Sequence, residues 1–179
     1  DRERTARSAA VSLTLLAAAA AAAISAPSLP AATGPATVLA SGESPYAGIR
    51  VVEFREARFL LVDGSIRAFT DAASGDNLLP CVNVLDIPRF MFRDPGRALI
   101  IGLAGGSVAR RYSIFQWDVD AVEADPLVIR YAGEYFGLRP DDAAVRCMNG
   151  RAFLMTTDGM WDMIIFDVSG GGVPLSLIH

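Results

Sequence analysis

The chain has 179 residues, 52% hydrophobic and 20% charged, which suits one domain with a sizeable core and excludes a disordered chain. Its 16 basic side chains are all arginine, its only histidine is the terminal His179, and its only cysteines are Cys81 and Cys147. Lysine chemistry and Ser–His or Cys–His nucleophiles inside the fold are thereby excluded, and His/Cys zinc sites nearly so. A net charge of −4 argues against nucleic acid as a partner. Acid–base chemistry falls to Asp, Glu, Tyr or the backbone, and no metal is expected.

Arg2, Arg4 and Arg7 form a basic flank over residues 1–8, ahead of an alanine-rich apolar stretch over 9–26. That stretch is long enough for a transmembrane helix and fits a secretory signal segment equally well; a soluble Ala-rich helix is the alternative. Residues 27–42 turn to Pro, Ala, Thr, Ser and Gly without a hydrophobic period and are expected to be a linker. The chain starts at Asp1 and stops soon after Gly170–Gly172, so it is expected to be a piece of a longer protein. The two cysteines lie far apart in apolar surroundings and are expected to be buried free thiols.

The folded part begins with a β-meander over 43–76. Residues 49–54 and 58–62 read as strands joined by a tight connection at Glu56-Ala57, and Asp63-Gly64 marks the turn toward a third at 66–70. Leu78, Val82, Leu85 and Phe92 are spaced near helical period, predicting a helix over 77–92 interrupted by Pro88. From Arg97 the pattern becomes strand, helix, strand, helix, strand, helix, strand. Strands are expected at 97–102, 117–122, 144–148 and 161–167, and helices at 107–115, 126–136 and 151–156. This is the order of an α/β, doubly wound parallel sheet over 77–179, with its C-terminal strands missing from this piece. Ligands of such sheets bind beyond the carboxyl ends of the strands.

Those ends hold the candidate residues. Gly102, Gly105 and Gly106 form a glycine turn that either lets a ligand approach the backbone or serves packing alone. Glu123 ends the second strand about 20 residues later, where an acid can accept both hydroxyls of an adenosine ribose. Asp125, before Pro126, suits a helix N-cap. Asn149-Gly150 offers an amide to an adenine edge or makes an ordinary turn. Asp167 ends the fourth strand as the best general-base candidate, a capping or solvated acid being the alternative.

Glu43-Ser44-Pro45-Tyr46, Leu61-Val62-Asp63-Gly64, the glycine turn, Glu123-Ala124-Asp125-Pro126, Asn149-Gly150-Arg151 and Ile164-Ile165-Phe166-Asp167 occur in one order. The ordered set resembles the spermidine synthase (polyamine aminopropyltransferase) family, which shares the Rossmann-like fold of S-adenosylmethionine-dependent methyltransferases. The apolar N-terminal segment is similar to that of membrane-anchored members. The resemblance implies decarboxylated S-adenosylmethionine, or S-adenosylmethionine, as co-substrate and a small amine as acceptor. Glu123 would hold the ribose, Asn149, Gly150 and Pro174 the adenine, and Tyr46 the substrate. Asp167 would deprotonate the attacking amine.

At several positions the chain departs from the family. Gly105 and Gly170 stand where it carries Asp, Ala47 and Arg67 where it carries Gln, and Asn149 where it carries Asp. Its Tyr-His-Glu segment has no counterpart between Asp71 and Asn77. The nucleoside half of the site is retained while the carboxylates facing a diamine are mostly lost, and a buried dication without them costs several kcal/mol per charge. The expected activity is aminopropyl transfer; methyl transfer and a membrane-tethered non-catalytic relative are the alternatives. Homodimerisation and a cell-membrane location with the folded domain in the cytoplasm are expected. The arginine flank alone would favour export of that domain.

Overall fold

A computed structural model describes residues 35–168. The apolar stretch 9–26, Gly170 and Pro174 lie outside the described residues. Among those described, no helix is long and apolar enough to cross a membrane.

Four strands, β1 (Thr37–Glu43), β2 (Gly48–Phe54), β3 (Ala57–Val62) and β4 (Ser65–Asp71), form an antiparallel sheet in sequential order. Asp63 (φ 47°) and Gly64 (φ 76°) both adopt the left-handed conformation between β3 and β4. This is the two-residue hairpin turn that matches strand twist, so Asp-Gly fixes the register there. Alternation along β2 sends Ile49 and Val51 inward and Arg50 outward. With Leu60 and Ala68 they pack on Val128 and Tyr131 of the helix described below.

Residues 37–42 were expected in the linker, yet they belong to β1. It lies at the sheet edge, held by backbone pairing with β2 and by Leu39 and Ala40 packed on the meander core. No hydrophobic period is needed for that. The helix expected over 77–92 is also absent as a unit. Asn77 bridges back to Thr70, and the rest divides into α1 (Pro80–Val84) and a 3-10 turn (Ile87–Met91). Pro80 and Pro88 each lack an N–H and lie in the opening turn of their segment, so each starts a turn and neither lets a preceding helix continue.

The second sheet consists of β5 (Arg97–Ile101), β6 (Asp118–Glu123), β7 (Ala144–Cys147) and β8 (Met163–Phe166), all parallel in the order β7-β6-β5-β8. Helices α2 (Ser107–Ile114) and α3 (Pro126–Tyr135) cover the face bearing Ala98, Ile100, Val119 and Ala121. Helix α4 (Gly150–Thr156) covers the opposite face through Phe153, packed with Leu99, Ile101 and Val122. The central β5 is therefore buried on both faces from Ala98 to Ile101, as its unbroken apolar run requires. The result is the doubly wound sheet expected from the sequence, with the meander packed on α3. Cys147 is exposed and unbridged rather than buried, because β7 is an edge strand with little covering it.

Candidate functional site

From β5 the chain steps outward to β6 and β7, then returns across the sheet to β8 on the far side of β5. The strand order reverses between β5 and β8, and a crevice opens there at the carboxyl ends. Gly102 makes the closure possible. Its φ is 91°, and a Cβ on it would lie 2.6 Å from the carbonyl oxygen of Asp167, so only glycine lets the two strand ends come this close. Its N–H donates to Val122 O at 2.8 Å, and that of Asp167 donates to Ile101 O at 2.9 Å.

The crevice faces the meander across a cleft of about 400 Å³. One wall carries Gly102, Ala104, Glu123 and Asp167 from the parallel sheet. The other carries Tyr46, Leu60, Val62, Asp63 and Arg67 from the meander. Asp125 and Val128 of the α3 entry and Asn149-Gly150 at the start of α4 complete the lining.

Glu123 is held from both sides. Leu103 N–H donates to its Oε2 at 3.0 Å and Asp125 N–H to its Oε1 at 3.0 Å. Two backbone donors fix the plane of the carboxylate, and each oxygen retains a lone pair toward the cleft. A carboxylate so oriented is suited to a pair of adjacent hydroxyls.

Asp167 lies across the crevice. Burial, then the negative charge of Glu123, raises its pKa from the ordinary 3.8 to about 6. Both causes penalise the ionised form. At neutral pH the group is ionised in roughly nine molecules of ten, yet it is a far stronger base than an exposed aspartate.

Asp125 and Asn149 both cap helices. Asp125, 5% exposed, accepts from Leu127 N–H at 2.8 Å through Oδ1 and from the Ser44 hydroxyl at 2.5 Å through Oδ2. The Ser44 Oγ in turn accepts the N–H groups of Tyr46 and Ala47, each at 3.1 Å. The Ser-Pro-Tyr turn is thus bolted to the start of α3, and Tyr46 is placed at the cleft mouth with its ring largely in solvent. Asn149 Oδ1 accepts from Arg151 and Ala152 N–H at 3.0 and 3.2 Å. Its carbonyl oxygen is committed to α4, leaving the amide NH2 as the group suited to a ligand. A Cβ on Gly150 would lie 2.5 Å from Ile101 Cγ2, so close packing of α4 on β5 explains that glycine.

Three of the predicted positions behave differently from a uniform phosphate-type loop. Gly102 lines the cleft, whereas Gly105 and Gly106 do not. A Cβ on Gly105 would meet Ala68 Cβ at 2.7 Å, and one on Gly106 would meet Leu138 at 3.0 Å. Both serve the packing of α2 against its surroundings. Ala104, which was not singled out from sequence, lines the cleft in the left-handed conformation at φ 47°. Arg67, singled out from sequence only as standing where the resembled family carries Gln, also lines it. Asp167, Glu123, Asn149, Gly150, Gly102 and Tyr46 all border the one cleft. Among the described residues, no group of three or more His, Cys, Asp or Glu side chains is placed to hold a metal ion.

No protein-family model matches the chain. A polyamine aminopropyltransferase of Streptococcus uberis is 28% identical over 136 residues, which cover 72% of this chain and 46% of that relative. The chain therefore spans about half the length of the curated relative it matches. The crystal structure of a probable spermidine synthase from Corynebacterium glutamicum superposes with a TM-score of 0.63 at 18% identity, covering 76% of this chain and 54% of that one. The fold is thus the spermidine-synthase-like Rossmann fold with its N-terminal meander.

Proposed function

We propose that the cleft binds an adenosyl sulfonium co-substrate and that the protein is a transferase of the aminopropyltransferase type. The observation that carries this reading is the Glu123 carboxylate, fixed by Leu103 and Asp125 N–H at the end of β6 and facing the same cleft as the base candidate Asp167. The similarity to a polyamine aminopropyltransferase supports it. In this reading Glu123 takes the two ribose hydroxyls, Gly102 lets the nucleoside tail pass over the backbone, and Asn149 and Gly150 border the adenine.

The transfer itself is a displacement at carbon. The acceptor amine forms a C–N bond at the carbon next to sulfur, the C–S bond breaks, and its electron pair stays on sulfur to give a neutral thioether nucleoside. Asp167 takes the proton that the amine nitrogen loses. Its raised proton affinity suits that role, and the sulfonium charge entering beside Glu123 and Asp167 is compensated by them. Decarboxylated S-adenosylmethionine would be the donor for aminopropyl transfer. Methyl transfer from S-adenosylmethionine uses the same base and the same ribose contact.

Calorimetric binding of S-adenosylmethionine, its decarboxylated form and methylthioadenosine tests the reading. Wild-type protein is expected to bind at least one of them, and Glu123→Ala to lose that binding at unchanged fold. Absence of binding to all three would refute it. The proposed setting is the cell membrane, with the 9–26 segment as tether, the 43–76 and 77–179 domains in the cytoplasm, and a homodimer as the unit. Protease protection in intact cells checks the orientation; digestion from outside would exclude access to a cytoplasmic co-substrate.

A further inference from the structure

The meander wall of the cleft carries a cation that the transfer chemistry above does not use. In the β3–β4 ladder, Leu60 faces Ala68 and Leu61 faces Ile66, so Arg67 is the additional residue of a β-bulge. A bulge bends its strand and re-aims a side chain, and Arg67 is half-buried and lines the cleft beside Tyr46 and Asp63. It is the only basic side chain among the described residues lining that cleft.

Four carboxylates line the same space, and three of them have donors elsewhere. Glu123 has Leu103 and Asp125 N–H, Asp125 has Leu127 N–H and the Ser44 hydroxyl, and Asp63 has Gly48 N–H at 2.9 Å. The proton affinity of the fourth, Asp167, is set by burial and Glu123. Arg67 also has an interaction within the protein, but a guanidinium has five donors in a planar fork and can share them with an incoming carboxylate. In a partly desolvated cleft such a charge-assisted pair is strong. A second ammonium placed beside Arg67 would instead meet a like charge.

We propose that Arg67 selects a substrate bearing a carboxylate, so that the meander wall of the cleft takes a zwitterionic rather than a purely cationic molecule. This rests on the adenosyl-transfer reading and narrows it. The carboxylate belongs either to the amino-acid tail of the donor or to the amine acceptor, whose nitrogen would then lie toward Asp167 and whose anionic end would lie toward Arg67.

Binding measurements on the full chain separate these sources. In the first arm, S-adenosylmethionine is compared with its decarboxylated form; in the second, γ-aminobutyrate is compared with 1,4-diaminobutane at saturating methylthioadenosine. A wild-type preference of about tenfold or more for the carboxylate-bearing member of either pair is expected. Arg67→Gln should abolish that preference while leaving the affinity for methylthioadenosine, which has no carboxylate, unchanged. Arg67→Lys, which keeps the charge but loses the fork, should retain part of it and decides the matter if the Gln variant does not fold. A preference confined to the first arm assigns the carboxylate to the donor, and one confined to the second assigns it to the acceptor. Methylthioadenosine binding with no preference in either arm, or with a preference that survives Arg67→Gln, overturns the role of Arg67 alone. Failure of every adenosyl ligand to bind overturns the transferase reading and this proposal with it.

Discussion

The two walls of the cleft are built by different means. On the parallel-sheet wall, Glu123 is clamped by two backbone N–H groups, and Gly102 is wedged where a Cβ would strike Asp167 O at 2.6 Å. Backbone geometry holds these groups, and strands buried on both faces hold the backbone. On the meander wall the exposed Tyr46 ring, the hairpin-tip Asp63 and the bulge residue Arg67 are surface side chains on an antiparallel sheet. The Ser44–Asp125 side-chain pair and the Arg58 guanidinium donating to Tyr135 O join the meander to α3, alongside apolar packing. A group oriented by backbone contacts keeps one fixed position, whereas a side chain on a half-exposed strand can vary in type and direction. In the proposed reading, the difference would assign the common part of a ligand to the first wall and the variable part to the second.

The largest expected effect concerns the chemistry on the first wall. Asp167→Asn should lower turnover by about 10²- to 10⁴-fold while affinity for methylthioadenosine, which carries no sulfonium charge, stays near wild type; unchanged turnover would remove Asp167 as the base. Gly105→Asp tests whether the glycine turn is a binding loop or a packing joint between the walls. Its Cβ would lie 2.7 Å from Ala68 Cβ, so the variant should lose about 3 kcal/mol in urea denaturation. Ala68→Gly in the same chain should restore part of that. An additive double mutant would mean that the two sites do not touch.

Asp167 also gives a stability signature. Its pKa of about 6 in the folded protein exceeds the ordinary 3.8, so the folded state binds this proton more tightly than the unfolded chain does. The group's contribution therefore becomes less favourable as pH rises from about 4 to about 6, and it is fully unfavourable at pH 7. Asp167→Asn should be more stable than wild type at pH 7 by on the order of 2–3 kcal/mol. The gap should close toward pH 4, and a gap constant across this range would contradict the burial of the charge.

The joint between the walls predicts a smaller loss. Asp125→Ala removes the α3 cap and the Ser44 contact together and should cost about 2 kcal/mol. Ser44→Ala should cost less, and the pair should be less than additive in a denaturation cycle. Smallest is Ala104→Gly, which relieves a left-handed alanine at φ 47°. A gain of about 0.5 kcal/mol is expected after the entropy of the new glycine, visible as a slightly higher Tm.

The parallel sheet was legible because its central strand β5 buries both faces and so appears as the unbroken apolar run Ala98–Ile101, because strand and helix signals alternate after it, and because α3 announces itself with Asp125-Pro126. Glu123 and Asp167 were legible because each acid closes a short apolar stretch, Ala121-Val122 and Met163–Phe166, and so lies at a strand end. Strand β1 was not, since an edge strand is held largely by backbone pairing and only Leu39 and Ala40 pack on the core. Helix 77–92 failed because apolar spacing persists through Pro80 and Pro88, which end helical hydrogen bonding regardless of period.

Local sequence thus determined the elements whose signals are local, namely the apolar runs, the Asp63-Gly64 turn, the Asp125 cap and the acids at two strand ends. Only the tertiary structure decided which glycine faces the cleft, because Gly102 and Gly105 differ in what lies opposite them: Asp167 O for one, Ala68 Cβ for the other. It alone placed Arg67 on the cleft wall, since a one-residue slip between two strands reverses where a side chain points and leaves no mark in the order of residues.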